Sequence, residues 1–400
     1  MAQNKKHHYV PRFYLKRFSP DGKSINIWNL SSSRKILSAN LKNQCYRSYF
    51  YGKELDVEKS LGDLEGAAAS LFRLIDEHGT PPPHGSFSHQ LLVLSTLMQY
   101  GRTAYSADVL DEMNDKLMKH ILAPRAKAKG IDLADFSIVF KEAGRFSLGM
   151  AMQTYPLLFD LDYKLLSNKT DVEFVTSDNP VVLYNQLFVF RKFGSNTGLA
   201  KKGLQIFYPI SPRFTLLLFD PAVYSVGNKN NSIIDISLPR DIYEMNTLQA
   251  CSAAENIYFQ DHVLNVEALH RRAVPFRRTL KTRMEIFPDK ETDDGSSELI
   301  ASSREDVRTN LKLTFVHLTK NAKKWRDEFL KLKMQPAAVV RNQKLVNDHK
   351  EFMDKVKKKE YEPSGFFRFL ANKYGYNVPD DFESADTNNR VHSDAPESGA

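Results

Sequence analysis

Four short polar motifs carry the side chains that could do chemistry. The first is His7-His8, followed by Tyr9, Val10, Pro11 and Arg12. An imidazole titrates near neutral pH, so it can move a proton or, when charged, hold a phosphate. His8 is the candidate base, and Pro11 with the aromatics beside it would fix the backbone. The second motif is Gln99-x-x-Arg102. Residues three apart on a helix share a face. Gln99 follows an apolar run, so its amide needs partners, and Arg102 offers a planar fork to a carboxylate or phosphate. The third is Thr176-Ser177-Asp178-Asn179-Pro180, directly after an apolar segment. Polar groups at a strand end are well placed for a site, although Asp, Asn and Pro also suit a turn. The fourth, Tyr208-Pro209-Ile210-Ser211-Pro212, reads as a turn fixed by two prolines.

Each motif taken singly has a plain structural reading: a core histidine on a carbonyl, an internal ion pair, a turn. Taken together, His8, Gln99, Arg102, Ser177 and Asp178 are a set that suits binding a phosphate or ribose and moving a proton beside it. A buried Arg needs a carboxylate, so His8 and Arg102 are expected close to Asp178, with Gln99 and Ser177 around them.

The elements that would position these groups follow from periodicity. Ile25, Ile27, the serines 31–33 and the return through Lys35 to Leu37 predict a hairpin. Val57, Leu61, Leu64, Ala68, Leu71 and Ile75 predict a helix over 56–78, stopped by the prolines at 81–83. A second helix is expected over 86–101, capped by Ser86 or Ser88, and mostly helix from 104 to 155. Short apolar runs then predict strands at 157–161, 172–175, 181–183, 187–190, 206–208 and 214–219, forming a mainly antiparallel sheet. Helices are expected again at 240–253 and 261–284. The fold class is α+β: an N-terminal hairpin and helices, a central mainly antiparallel sheet and a helical C-terminal extension.

Composition narrows the class. The 400 residues hold 42% hydrophobic and 26% charged side chains, ordinary for a globular protein. The net charge of +8 favours an anionic partner. Cys45 and Cys251 are too few for a disulfide framework and suit a reducing compartment. The basic N-terminus leads into no apolar run, and no stretch is long enough to span a bilayer, so a cytoplasmic protein is expected. No P-loop, Gly-x-Gly-x-x-Gly, His-Glu-x-x-His or nucleophile-elbow serine occurs, and the histidines lack ligand spacing; no metal or cofactor is expected.

The opening His8-Tyr9-Val10-Pro11-Arg12-Phe13-Tyr14-Leu15 resembles the signature of the bacterial family known as domain of unknown function 4238. The resemblance continues through Tyr51, the Glu58 to Glu65 helix, Gln99-x-x-Arg102-Thr103, Phe174 to Pro180 and Tyr208 to Pro212, covering about 7–285. It implies a bacterial source and supplies no reaction.

Residues beyond that span read as separate. A main domain of 1–287 is expected, then a polar linker over 288–303, a basic helical extension over 304–378 and a disordered acidic tail over 379–400. Residues 304–360 hold 16 Lys or Arg against 8 Asp or Glu, an excess equal to the net charge of the whole chain. Lys320, Lys323, Lys324 and Lys331 surround Trp325, a composition that suits a nucleic-acid backbone with a stacked base. Two functions are therefore weighed. One is a metal-independent, nuclease-like enzyme acting on nucleic acid or a nucleotide. The other is a non-catalytic nucleic-acid-binding or assembly module in which only the extension, contacting RNA or DNA, matters.

Overall fold

The structure is a computed structural model and describes residues 5–53, 56–191, 195–260, 265–278, 281–288, 298–332 and 339–375. The chain begins with β1 (Lys6–His8), α1 (Arg12–Lys16), β2 (Ser24–Asn29), β3 (Arg34–Asn40) and β4 (Tyr46–Ser48). Four helices follow: α2 (Asp56–His78), α3 (Phe87–Gly101), α4 (Ala104–Ala128) and α5 (Ala143–Gln153). The strand-rich middle holds β5 (Asp162–Asn168), β6 (Thr176–Ser177), β7 (Val182–Tyr184), β8 (Gln205–Pro209), β9 (Phe214–Phe219), β10 (Tyr224–Val226) and β11 (Ile233–Ile236). Then come α6 (Pro239–Ser252), β12 (Asn256–Phe259), α7 (Val266–Ala273), β13 (Thr282–Pro288), β14 (Glu298–Arg304) and β15 (Val316–Leu318). The last described elements are α8 (Lys320–Leu330), α9 (Gln343–Lys357) and α10 (Phe366–Tyr374).

The central sheet has the order β11-β5-β9-β8-β7, antiparallel throughout except for the parallel β11–β5 pair. A second sheet, β3-β2-β12-β6, joins the N-terminal hairpin to the strand after α6. The architecture is α+β. Alternate residues of a strand point to opposite faces, and here both faces are buried. Leu165, Ile206, Leu216 and Leu218 enter one core with Tyr14, Phe72 and Leu92; Leu166, Phe207, Leu217 and Phe219 enter another with Ile242, Leu248 and Phe329. Burial on both sides explains why these strands read as unbroken apolar runs.

Local sequence explains the helix ends. Ser86 accepts the His89 amide as the cap of α3, and Thr103 accepts the Ser106 amide as the cap of α4. Expected strands at 157–161 and 187–190 do not form. Pro156 instead opens a tight 3-10 turn, Tyr155–Leu158, because proline is pre-set for a helical first turn. Asn185 holds the Phe188 amide in a turn. Residues 172–175 form no strand; Asn246 takes the Val175 amide. The expected helix over 261–284 is described only as Val266–Ala273, with Pro275 in the turn after it and β13 beyond.

The C-terminal part differs in kind from the expectation. β14 covers the end of the stretch read as linker and pairs along its length with β13. Val307, Leu311, Leu313, Val316, Ala322 and Phe329 belong to the first-named sheet's second core, and Phe352, Phe366 and Phe369 to its first. The three expected helices are present as α8, α9 and α10, but they are seated on the main body. Residues 289–297 of the linker and 379–400 of the tail lie outside the described residues.

Candidate functional site

A cleft of about 350 Å³ opens where the N-terminal segment meets α2 and the end of α3. His7, His8, Arg12, Tyr51, Glu58, Glu65 and Arg102 supply its polar groups. β1 pairs antiparallel with β4, which sets the two histidines side by side on opposite faces of a short ribbon. Glu58, Gly62 and Glu65 fall four and seven residues along α2, so one helical face presents both carboxylates. Gly62 leaves room at that face: a Cβ placed there meets nothing within 4 Å.

His7 is buried. The Tyr51 amide donates to its Nδ1 (3.2 Å), so its proton sits on Nε2, which lies 3.5 Å from Glu58 Oε2. His8 is half-buried, with Nε2 3.3 Å from the Lys42 carbonyl. Donation to that carbonyl places the proton on Nε2 and leaves Nδ1 as the lone-pair nitrogen. Burial, chiefly, lowers the His8 pKa from its ordinary value; the Arg12 and Arg102 charges add to this, and the Lys42 bond and Glu65 oppose it. The lowered pKa favours the neutral imidazole near pH 7. Arg12 is exposed and, among the described residues, makes no hydrogen bond or ion pair.

Arg102 is only 2% exposed. Its Nη1 donates to Glu65 Oε1 (2.6 Å), Nε to the Tyr51 hydroxyl (3.1 Å) and Nη2 to the His8 carbonyl (2.7 Å). Burial works against its charge, but Tyr51 and Glu65 outweigh burial and raise the pKa. Gln99 Nε2 donates to the next carbonyl along, that of Tyr9 (3.3 Å). The Gln-x-x-Arg spacing thus clamps two successive peptide groups of the N-terminal segment. These residues position His8.

The expected pairing of Arg102 with Asp178 is not found, because Glu65 takes Arg102. Asp178 is buried and accepts the amides of Ala254 (2.8 Å), Glu255 (2.7 Å) and Asn256 (3.0 Å), anchoring the chain as it leaves α6. Burial pushes its carboxyl up to about 6, against the pull of those three bonds. Ser177 Oγ accepts the Asn179 amide (3.0 Å) and Gln249 Nε2 (2.7 Å). The two polar ends do meet, through Thr103 Oγ1 and Asn179 Oδ1 (3.4 Å), but Arg102 faces the cleft while Ser177 and Asp178 face α6 and β12. The Tyr208–Pro212 motif is the end of β8 and the turn into β9, with Ser211 Oγ accepting the Arg213 and Phe214 amides.

The residues missed from sequence are Arg12, Glu58, Glu65 and Tyr51. The seven-residue interval between the two glutamates, with Gly62 between them, was a readable signal. On α8, Lys320, Lys323 and Lys324 share one exposed face, and Lys331 is exposed just beyond. Trp325 is half-buried and packs on Phe188 and Phe329, so it is not free to stack a base. Among the described residues, no group of three or more His, Cys, Asp or Glu is arranged to hold a metal ion, and no helix is long and apolar enough to cross a membrane.

The profile of the family described as "Protein of unknown function (DUF4238)" matches residues 6–263, well over half of the chain. The chain belongs to that family. No curated protein and no solved structure matches it. In this DUF4238 protein the cleft is built wholly from family-matched residues, whereas α8, α9 and α10 lie beyond the match.

Proposed function

We propose that the cleft is a metal-independent acid–base site acting on a phosphate ester of a nucleotide or of RNA. One observation carries the reading: Arg12, whose guanidinium has no partner among the described residues, shares a nucleotide-sized cleft with a neutral histidine, His8, whose Nδ1 is uncommitted among them. Arg12 would hold the phosphate oxygens bidentately. His8 would take the proton of a ribose 2′-hydroxyl as that oxygen attacks phosphorus; the P–O5′ bond breaks, and the 5′-oxygen takes a proton from water. Arg102, Gln99 and Glu65 position this machinery. The two buried, unpaired cysteines support a reducing, cytoplasmic setting.

The test is cleavage of a single-stranded RNA oligonucleotide by the purified full chain and three variants. His8→Ala should lower the rate by about a hundredfold or more. Arg12→Gln should chiefly weaken substrate binding. Gly62→Leu should fill the cleft without backbone strain and block cleavage while leaving the protein folded. Absence of cleavage by the wild-type chain, or full activity in Gly62→Leu, would remove the reading.

A second reading is supported by α8. Lys320, Lys323, Lys324 and Lys331 are exposed and form no ion pair among the described residues. They suit an RNA or DNA backbone held by charge alone. Gly62→Leu would then leave nucleic-acid binding intact, whereas replacing these lysines with glutamine would weaken it and flatten its salt dependence.

A further inference from the structure

A second group of cations lies at the α3–α4 junction, against residues that do not line the cleft. Tyr105 is 7% exposed and lies in the first turn of α4. The Arg278 guanidinium sits 4.7 Å from the centre of its ring and that of Arg304 5.1 Å from the same ring. Arg304 also lies 4.8 Å from the centre of the Tyr100 ring and donates to Ser106 Oγ (2.9 Å). Arg278 donates to the carbonyls of Glu305 (2.9 Å) and Ser252 (3.2 Å). Neither arginine has a carboxylate partner among the described residues. The Tyr105 hydroxyl is buried there with no partner either.

The Asp306 charge favours the Arg278 cation, but among the described residues no acid forms an ion pair with either arginine. Asp108 pairs with Arg47 and Lys281, Glu305 with Arg283, and Asp306 receives the Asn196 amide and the Thr197 hydroxyl. Ring faces and carbonyls soften two like charges but do not neutralise them. Position adds to the excess. The first turn of a helix carries a partial positive charge, which disfavours a cation and attracts an anion. Two arginines and a helix start, with a hydroxyl donor unused, are the arrangement that an oxyanion completes.

We propose that Arg278, Arg304 and the Tyr105 hydroxyl form a phosphate-binding site at the start of α4, separate from the His8 cleft. The free nitrogens of the two guanidiniums and the Tyr105 O–H supply the donors. Both arginines lie beyond the family-matched residues, next to the β13–β14 hairpin, while Tyr105 lies within them, so the site joins the family domain to this chain's own C-terminal part.

The experiment titrates inorganic phosphate into full-length protein carrying Arg12→Gln, which removes the cleft's own phosphate ligand, and follows the unfolding temperature. Phosphate should raise it. Adding Arg304→Gln should weaken the apparent affinity by at least about tenfold, as expected for loss of a charge-assisted contact. Tyr105→Phe, which removes only the hydroxyl, should weaken it severalfold. In phosphate-free buffer Arg304→Gln should leave the unfolding temperature unchanged or raise it, because it relieves repulsion. No rise with phosphate, an equal rise in Arg304→Gln, or a lower unfolding temperature of that variant without phosphate would overturn the proposal and make Arg304 a structural cation. A short RNA run in parallel identifies the source. Weakening of both ligands by Arg304→Gln points to a nucleic-acid phosphate, and weakening of inorganic phosphate alone to a small phosphorylated molecule.

Discussion

Arg102 and Glu65 form an ion pair whose members sit in unlike surroundings. Arg102 is sealed, with its side chain 2% exposed, while 27% of the Glu65 side chain reaches solvent. Removing a partner harms the fold according to what is left behind. Glu65→Ala leaves a buried cation with only a hydroxyl and a carbonyl, which should cost about 3 kcal/mol or more. Arg102→Ala leaves a carboxylate that water can reach, and the Tyr51 hydroxyl still donates to the His8 carbonyl (3.4 Å), so its cost should be smaller, about 1–2 kcal/mol. Arg102→Lys should not recover the loss, since one ammonium cannot serve Glu65, Tyr51 and His8 in three directions. Urea titrations of the three variants check the order, and equal losses for Glu65→Ala and Arg102→Ala would contradict it. Asp178→Ala belongs to the same scale. It strands three amide donors at the end of α6, and at about 1–3 kcal/mol each it should be the most damaging of these changes.

Among the elements, those with strong periodicity were legible. The helix expected over 56–78 is α2 with the same bounds, Ser86 caps α3 as its type suggests, and the hairpin appears as β2 and β3. The candidate site was legible only as far as His8, Arg102 and Gln99. Arg102's partner was not, because Glu65 and Asp178 both follow from "a carboxylate near the core", and only the packing of α2 on α3 chooses between them. The boundary after residue 287 was misleading for a related reason. A polar, charged stretch says how a segment meets water, not what its few apolar residues meet. Val307, Leu311, Leu313 and Phe329 are sparse in the sequence yet all enter the core with Leu166 and Phe207. Removing residues 288–400 should therefore expose apolar surface around Phe188, Tyr184 and Leu217 and abolish cooperative unfolding. A truncated chain that melts sharply at the full-length temperature would restore the picture of a detachable extension.

At the scale of the whole molecule, two buried groups oppose each other in their response to pH. His89 is 5% exposed, its ring tilted against Tyr163 beside His84, and its pKa is lowered to about 4, first by burial and then by the His84 charge. The unfolded chain binds a proton at this position below about 6.5 and the folded chain does not, so stability falls as pH drops from 6.5 towards 4. His8, also lowered by burial, acts in the same direction. Asp178 has the opposite sign. Its folded pKa is raised to about 6, above the unfolded value, so between 6 and 4 the folded chain holds a proton that the unfolded chain has lost. Stability therefore rises as pH drops through that window. Each effect has a slope of about 1.4 kcal/mol per pH unit within its window, so they offset between pH 6 and 4.5. The carboxylates with lowered pKa values among the described residues, Asp21, Asp115, Glu112 and Asp348, act mainly at the acid end of that range and below it. His8 and His270 add to the His89 arm and Asp76, raised by burial, adds to the Asp178 arm, so the wild-type profile from pH 6 to 4.5 should be shallower than that of either single variant at His89 or Asp178. His89→Gln retains an acceptor for the Gly85 amide and removes one arm of the balance, so this variant should gain stability on acidification over the same range. Asp178→Asn removes the other arm and should lose stability there. Urea midpoints at half-unit steps measure both slopes. Parallel profiles for the wild type and the two variants would show that neither group titrates as its burial requires.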